Sequence, residues 1–168
     1  MSVNQKIELN GCWFGKISYK DLNSKQKEIY NFQKIAATLA DYGFNCIKLA
    51  DDWHGADFLA YHRDGTNTLK VQLKARPTID KKYIGRNIYM AFPLGGFWYL
   101  VDHDKLVEKV GQFTNWLNTD SWINNGGYSS MGLSARLLEG LRENKLGPVY
   151  CESAEIIASA PTDNQEIP

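Results

Sequence analysis

The stretch that most constrains this chain is residues 55–77, GADFLAYHRDGTNTLKVQLKARP. Two strand-length runs, ADFLAYH and TLKVQLKA, flank the polar turn RDGTN, which carries glycine at its centre. Such a pattern closes an antiparallel hairpin, because Asp, Gly and Asn accept backbone angles that strand residues avoid. Side chains alternate along a strand, so Val71 and Leu73 share one face while Gln72 and Lys74 share the other. An aspartate, Asp57, opens the first strand. Burying a carboxylate or an ammonium without a partner costs several kcal/mol. An acid, an amide and an amine on one hairpin therefore call for a shared purpose.

The flanking segments set the fold class. A helix is expected from about residue 23 to residue 42: Asn23 and Gln26 fit a capping box, and Gly43 stops it. Ile29, Phe32, Ile35, Ala36 and Leu39 recur at helical spacing and define its apolar face. NCIKLA, ADFLAYH and TLKVQLKA read as three strands, and IYMAF and FWYLV as two more across the PLGG break. A helix is expected to follow with Asp104 as its N-cap, running through Leu106, Val107 and Val110. NNGGYSS reads as a loop, and residues 134–144 as a further amphipathic helix with Leu137, Leu138 and Leu141 inward. Residues 1–20 carry a weak strand or hairpin signal. The expectation is one α/β domain with a central mixed β-sheet flanked by helices: an N-terminal extension over 1–20, a core over 23–118, a helical part over 119–160 and a flexible tail over 161–168.

Composition narrows the function classes. With 168 residues, 43% hydrophobic and 23% charged, the chain is long enough to bury a real core. No apolar run approaches the roughly 18 residues of a membrane span, and MSVNQKIELN lacks the apolar stretch of a secretory signal. Cys12, Cys46 and Cys151 are scattered and form no metal-ligand spacing, so reduced thiols in a cytoplasmic protein are expected. Zero formal net charge argues against indiscriminate coating of nucleic acid, yet the charge is uneven. Lys70, Lys74, Arg76, Lys81, Lys82 and Arg86 face a single acid, Asp80, just after the polar hairpin. That cluster is either a solvated face or an anion-binding surface.

One more residue stands out. At about 100° per residue, Glu28 falls in line with Phe32, Ile35 and Leu39, so it is expected to point at the sheet. Glu28, Asp57, Gln72 and Lys74 together suit a hard divalent cation, since Mg²⁺ takes carboxylate, carbonyl and water oxygens. A lysine beside such a cation stabilises developing charge on a phosphodiester or an attacking hydroxide.

GAD (55–57), a turn, QLK (72–74) and the preceding helix with Glu28 resemble the PD-(D/E)XK nuclease superfamily over roughly residues 23–76. The resemblance implies a restriction endonuclease-like core of α-β-β-β-α-β order and a Mg²⁺- or Mn²⁺-dependent DNA endonuclease. It implies that Asp57 is the metal-binding acid, Lys74 the catalytic lysine and Glu28 the helix-borne acid. Gln72 stands where a second acid is usual, as in the QxK variant, and the backbone carbonyl of Leu73 is implied among the ligands. No proline precedes Asp57. The glutamine supplies an oxygen without charge. Arg76, Lys81, Lys82, Tyr83 and Arg86 are positioned to contact DNA phosphates, and a homodimer would let both strands be cut.

His54, beside the site in DDWHGAD, is either a proton shuttle or a loop histidine packed on Trp53. Asp102, His103 and Asp104 read as a strand end and a helix cap rather than a metal cluster. Two other readings remain beside the nuclease. One is a nuclease-fold module that binds nucleic acid or protein without catalysis; the other is a small dimerisation protein.

Overall fold

The computed structural model describes residues 6–149. Cys151, the distal part of the 119–160 segment and the expected tail over 161–168 lie outside the described residues, as do the side chains of Asp52 and Trp53. The chain opens with a hairpin of β1 (Lys6–Leu9) and β2 (Cys12–Gly15), turned by Asn10 and Gly11 at positive φ.

Helix α1 (Ser24–Ala40) starts where expected: the Asn23 side chain accepts from the Gln26 N–H and the Gln26 side chain accepts from the Asn23 N–H, each at 2.9 Å. Gly43, at φ +81°, then redirects the chain into β3 (Phe44–Trp53). Strands β4 (Ala56–His62) and β5 (Thr68–Leu73) form the hairpin read from sequence. Its turn is set by Asp64, whose Oδ1 accepts from the backbone N–H groups of Thr66 and Asn67 at 2.8 and 3.1 Å.

After β5 the chain makes a short strand, β6 (Thr78–Asp80), and a 3₁₀ turn (Lys81–Tyr83) before β7 (Ile88–Leu94). That turn occupies the place where the resemblance implied a helix. β8 (Phe97–Asp102) follows through a two-glycine turn in which Gly95 and Gly96 both have positive φ. Next come α2 (His103–Phe113), α3 (Asp120–Asn125), β9 (Gly127–Ser129), α4 (Ala135–Gly140) and β10 (Lys145–Pro148).

The central sheet has six strands in the order β10-β8-β7-β5-β4-β3 and is mixed, because β7 runs parallel to β5 while the other pairs are antiparallel. This is the α/β class expected from sequence. On one face α1 packs Ile35 and Leu39 against Phe58, Ala60, Val71, Ala91 and Trp98. On the other face Met90, Phe92 and Val101 meet Leu106 and Val110 of α2, Trp122 of α3 and Leu137 of α4. Each fully buried Leu, Ile or Phe contributes about 1.5–3 kcal/mol, so both sides of the sheet are firmly held.

Three local expectations are corrected. Asp102, not Asp104, caps α2, its side chain accepting from the Lys105 N–H at 3.0 Å. NNGGYSS is not all loop: β9 pairs antiparallel with β6. Residues 134–144 break into the six-residue α4 and a separate 3₁₀ turn, although Leu137 and Leu141 are both buried as expected.

Candidate active site

Phe58 lies opposite Val71 in the β4–β5 ladder, so one step along the register sets Asp57 beside Gln72. Phe58 and Val71 point into the α1 side of the core. Alternation sends Asp57 and Gln72 to the opposite face. There Gln72 Nε2 donates to Asp57 Oδ2 at 2.5 Å, and the Leu73 backbone N–H donates to the same oxygen at 2.7 Å. Gln72 is 6% exposed. The contact is charge-assisted and shielded from water, which makes it among the stronger hydrogen bonds a side chain forms.

The far end of the Gln72 amide is also engaged. Tyr83, from the 3₁₀ turn after β6, donates its hydroxyl to Gln72 Oε1 at 3.1 Å. Tyr83 is 2% exposed, and so is a buried partner of the site rather than the phosphate contact expected from sequence. Its ring rests on Gly55, where a Cβ would come within 2.8 Å of Tyr83 Cε1. His54 and Gly55, both at positive φ, form the two-residue turn joining β3 to β4. Glycine at 55 is thus required twice, by the backbone and by the ring above it.

Two lysines flank the same ring, Lys82 Nζ at 4.8 Å and Lys74 Nζ at 5.8 Å from its centroid. Behind it stands His103, edge-on at 5.5 Å between ring centroids and 1% exposed. His103 Nε2 accepts from the Asp80 N–H at 3.2 Å, which places the imidazole proton on Nδ1, 3.4 Å from Asp104 Oδ1. Burial pushes the pKa of His103 down, against the opposing pull of Asp104, Asp102 and Asp80. Hydrogen bonds therefore run from the half-buried Asp57 through Gln72 to Tyr83, whose ring packs on His103.

The remaining candidates divide by location. His54, Gly55, Lys82, Tyr83 and Arg86 line a cleft of about 320 Å³ beside the network. Lys81 turns away, its Nζ donating to the Ile123 carbonyl at 2.9 Å and lying 5.5 Å from the Trp122 ring centroid. Arg76 is directed at Met131, with Nη1 3.5 Å from Sδ. Of the four basic residues among the expected phosphate contacts, Lys82 and Arg86 share the cleft, while Lys81 and Arg76 point elsewhere.

Glu28 lies on the other side of the sheet. Burial along its stripe of α1 falls toward the N-terminus: Leu39 and Ile35 are buried, Phe32 is half-buried and Glu28 is exposed. Ile29, expected inward, is 42% exposed. The Glu28 carboxylate accepts from Lys48 Nζ at 2.6 Å and from Lys25 Nζ at 3.0 Å. These lysines, Lys48 first, hold its pKa below the usual carboxylate range. Glu28 is not in the Asp57–Gln72 network, but it lines a second cleft of about 290 Å³ with Ser24, Lys27, Asn31, Leu73, Lys74 and Ala75. Leu73 and Lys74 touch both sides.

Asp57 offers a carboxylate, Gln72 an amide whose nitrogen is also 3.5 Å from the Leu73 carbonyl oxygen, and Leu73 that carbonyl. The Asp57 carboxylate and the Leu73 carbonyl are hard oxygen donors of the kind Mg²⁺ or Mn²⁺ accepts, while Gln72 turns its amide nitrogen toward them and its oxygen toward Tyr83. Among the described residues no three His, Cys, Asp or Glu side chains cluster to hold a metal, so the set depends on neutral oxygens beside Asp57. Among the described residues, too, no helix is long and apolar enough to cross a membrane.

No family model matches the chain, and no curated protein matches it. Among solved structures it is similar to a bacterial homing endonuclease, I-Ssp6803I, at 13% identity over 68% of this chain and 79% of that one, with a TM-score of 0.40.

Proposed function

We propose that the protein is a metal-dependent DNA endonuclease that hydrolyses phosphodiester bonds at the end of the β4–β5 hairpin. The observation that carries this reading is the meeting of Asp57, Gln72 and Leu73 at one oxygen, with Lys74 two residues on and a basic cleft beside it. Asp57, the Gln72 amide oxygen and the Leu73 carbonyl would hold Mg²⁺ or Mn²⁺, and Glu28 is the further acid available from α1 across the Leu73–Lys74 cleft. When bound, such a cation polarises a phosphodiester and lowers the pKa of attacking water.

The chain's own groups do the rest. Lys74 presents an ammonium to the developing negative charge. Lys82 and Arg86 grip phosphates along the cleft. His54, on its turn at the cleft, is placed to carry a proton between that surface and solvent. The test is incubation of supercoiled, branched and single-stranded DNA with the protein in Mg²⁺ or Mn²⁺. Metal-dependent cleavage that disappears in Asp57→Ala and in Lys74→Ala is expected; cleavage unchanged in both variants overturns the assignment.

A second reading is favoured by one observation: every polar end of Gln72 is already satisfied by protein groups. A site held that way can serve as a nucleic-acid- or protein-binding surface without catalysis. DNA retention that weakens with salt and ignores divalent metal, with no cleavage, would select it.

A further inference from the structure

The Gln72 amide has two ends and two different neighbours. Toward Asp57 it presents Nε2, at 2.5 Å; toward Tyr83 it presents Oε1, at 3.1 Å. An ionised carboxylate only accepts, so in the cation-free protein the NH₂ group must face Asp57. A cation at Asp57 demands the reverse, because an amide ligates hard metals through its oxygen. The group beyond the amide must then serve both states. A tyrosine hydroxyl can: it donates to a carbonyl oxygen and accepts from an NH₂ group.

From this geometry we infer that Tyr83 is a positioning residue, a pivot on which the Gln72 amide turns over when a divalent cation arrives. This rests on the nuclease reading and deepens it, since it says how a glutamine works where an acid is usual. Without the cation, Gln72 caps Asp57 and the site is internally satisfied. With it, the amide oxygen turns inward and its NH₂ donates to the Tyr83 hydroxyl. The surroundings fit this task. Tyr83 is 2% exposed, so water does not substitute for its hydroxyl. Gly55 leaves the ring room that no larger residue would, and His103 backs it edge-on. A pivot must stay in place while its partner moves, and these contacts hold it.

The experiment is an NMR titration with Mg²⁺ of protein carrying ¹⁵N-labelled glutamine, paired with calorimetry on the wild type, Tyr83→Phe and Gln72→Glu. In the wild type the Gln72 NH₂ protons are expected to gain cross-peaks to the Tyr83 ring on saturation and to lose the shift imposed by Asp57. Tyr83→Phe loses a similar bond from both states, so its Mg²⁺ affinity should stay within about threefold of the wild type while its melting temperature falls. Gln72→Glu supplies a fixed acceptor with charge, and its affinity should rise tenfold or more. Mg²⁺ binding with the Gln72 NH₂ still against Asp57 overturns the pivot and leaves the nuclease reading standing. So does a change of tenfold or more in Tyr83→Phe, which would make the hydroxyl a partner of one state only. No binding by either the wild type or Gln72→Glu overturns the pivot and the metal site beneath it together.

Discussion

The two sides of the sheet hold their carboxylates by opposite means. On the α2 side Asp57 is fixed by a buried amide and a backbone N–H, and that amide is fixed in turn by Tyr83. On the α1 side Glu28 stands with its side chain 48% exposed between two lysines, one of them 70% exposed. Buried hydrogen bonds are strong and intolerant of change, because a lost partner leaves a polar group stranded away from water. Exposed ion pairs are weak, screened and readily exchanged. A pre-organised centre belongs on the first side and an adjustable contributor on the second.

The largest effect should come from Gly55→Ala. Its Cβ would press on the Tyr83 ring, and alanine resists φ +91°, so a loss of about 2–4 kcal/mol is expected in denaturant unfolding. A cost below 1 kcal/mol would mean that the ring is not held against the turn. Gln72→Glu should rank next, destabilising the cation-free protein by about 1–3 kcal/mol by setting a second carboxylate against Asp57. Saturating Mn²⁺ should restore that loss; a variant as stable as the wild type without metal breaks the contrast between the two sides.

His103 gives the buried side a pH signature. Its pKa is lowered in the fold by burial, so below the unfolded value near 6.5 the unfolded chain binds the extra proton and the folded one does not. Stability is full above about pH 6.5 and falls as pH drops toward the lowered folded value, by at most about 1.4 kcal/mol per pH unit. Melting scans from pH 7.5 to 5 should show this slope, and His103→Gln should flatten it. The smallest effect belongs to the exposed side. The depressed pKa of Glu28 stabilises above the unfolded carboxylate range and is lost as pH falls through the folded value. Screening keeps its worth under about 1 kcal/mol, so Glu28→Gln should barely move the melting temperature and the difference should vanish in molar salt.

What was legible in the sequence follows the same division. The capping box of α1 and the β4–β5 hairpin are local patterns, and hairpin register alone puts Asp57 beside Gln72. Glu28 was misplaced because helical periodicity gives direction around an axis but not how far along it the packing extends. Tyr83 and His103 could not be given their roles, since a 3₁₀ turn after β6 and the start of α2 meet only in the folded chain. The β6–β9 pair was missed because Gly127–Ser129 is too short for alternation to show.

The most direct test of the Asp57–Gln72 pair as the functional centre is Mn²⁺ calorimetry on the wild type beside Asp57→Asn. One cation per chain, lost in the variant while the fold survives, is the predicted result. Identical heats for the two proteins would place the metal elsewhere and contradict the account.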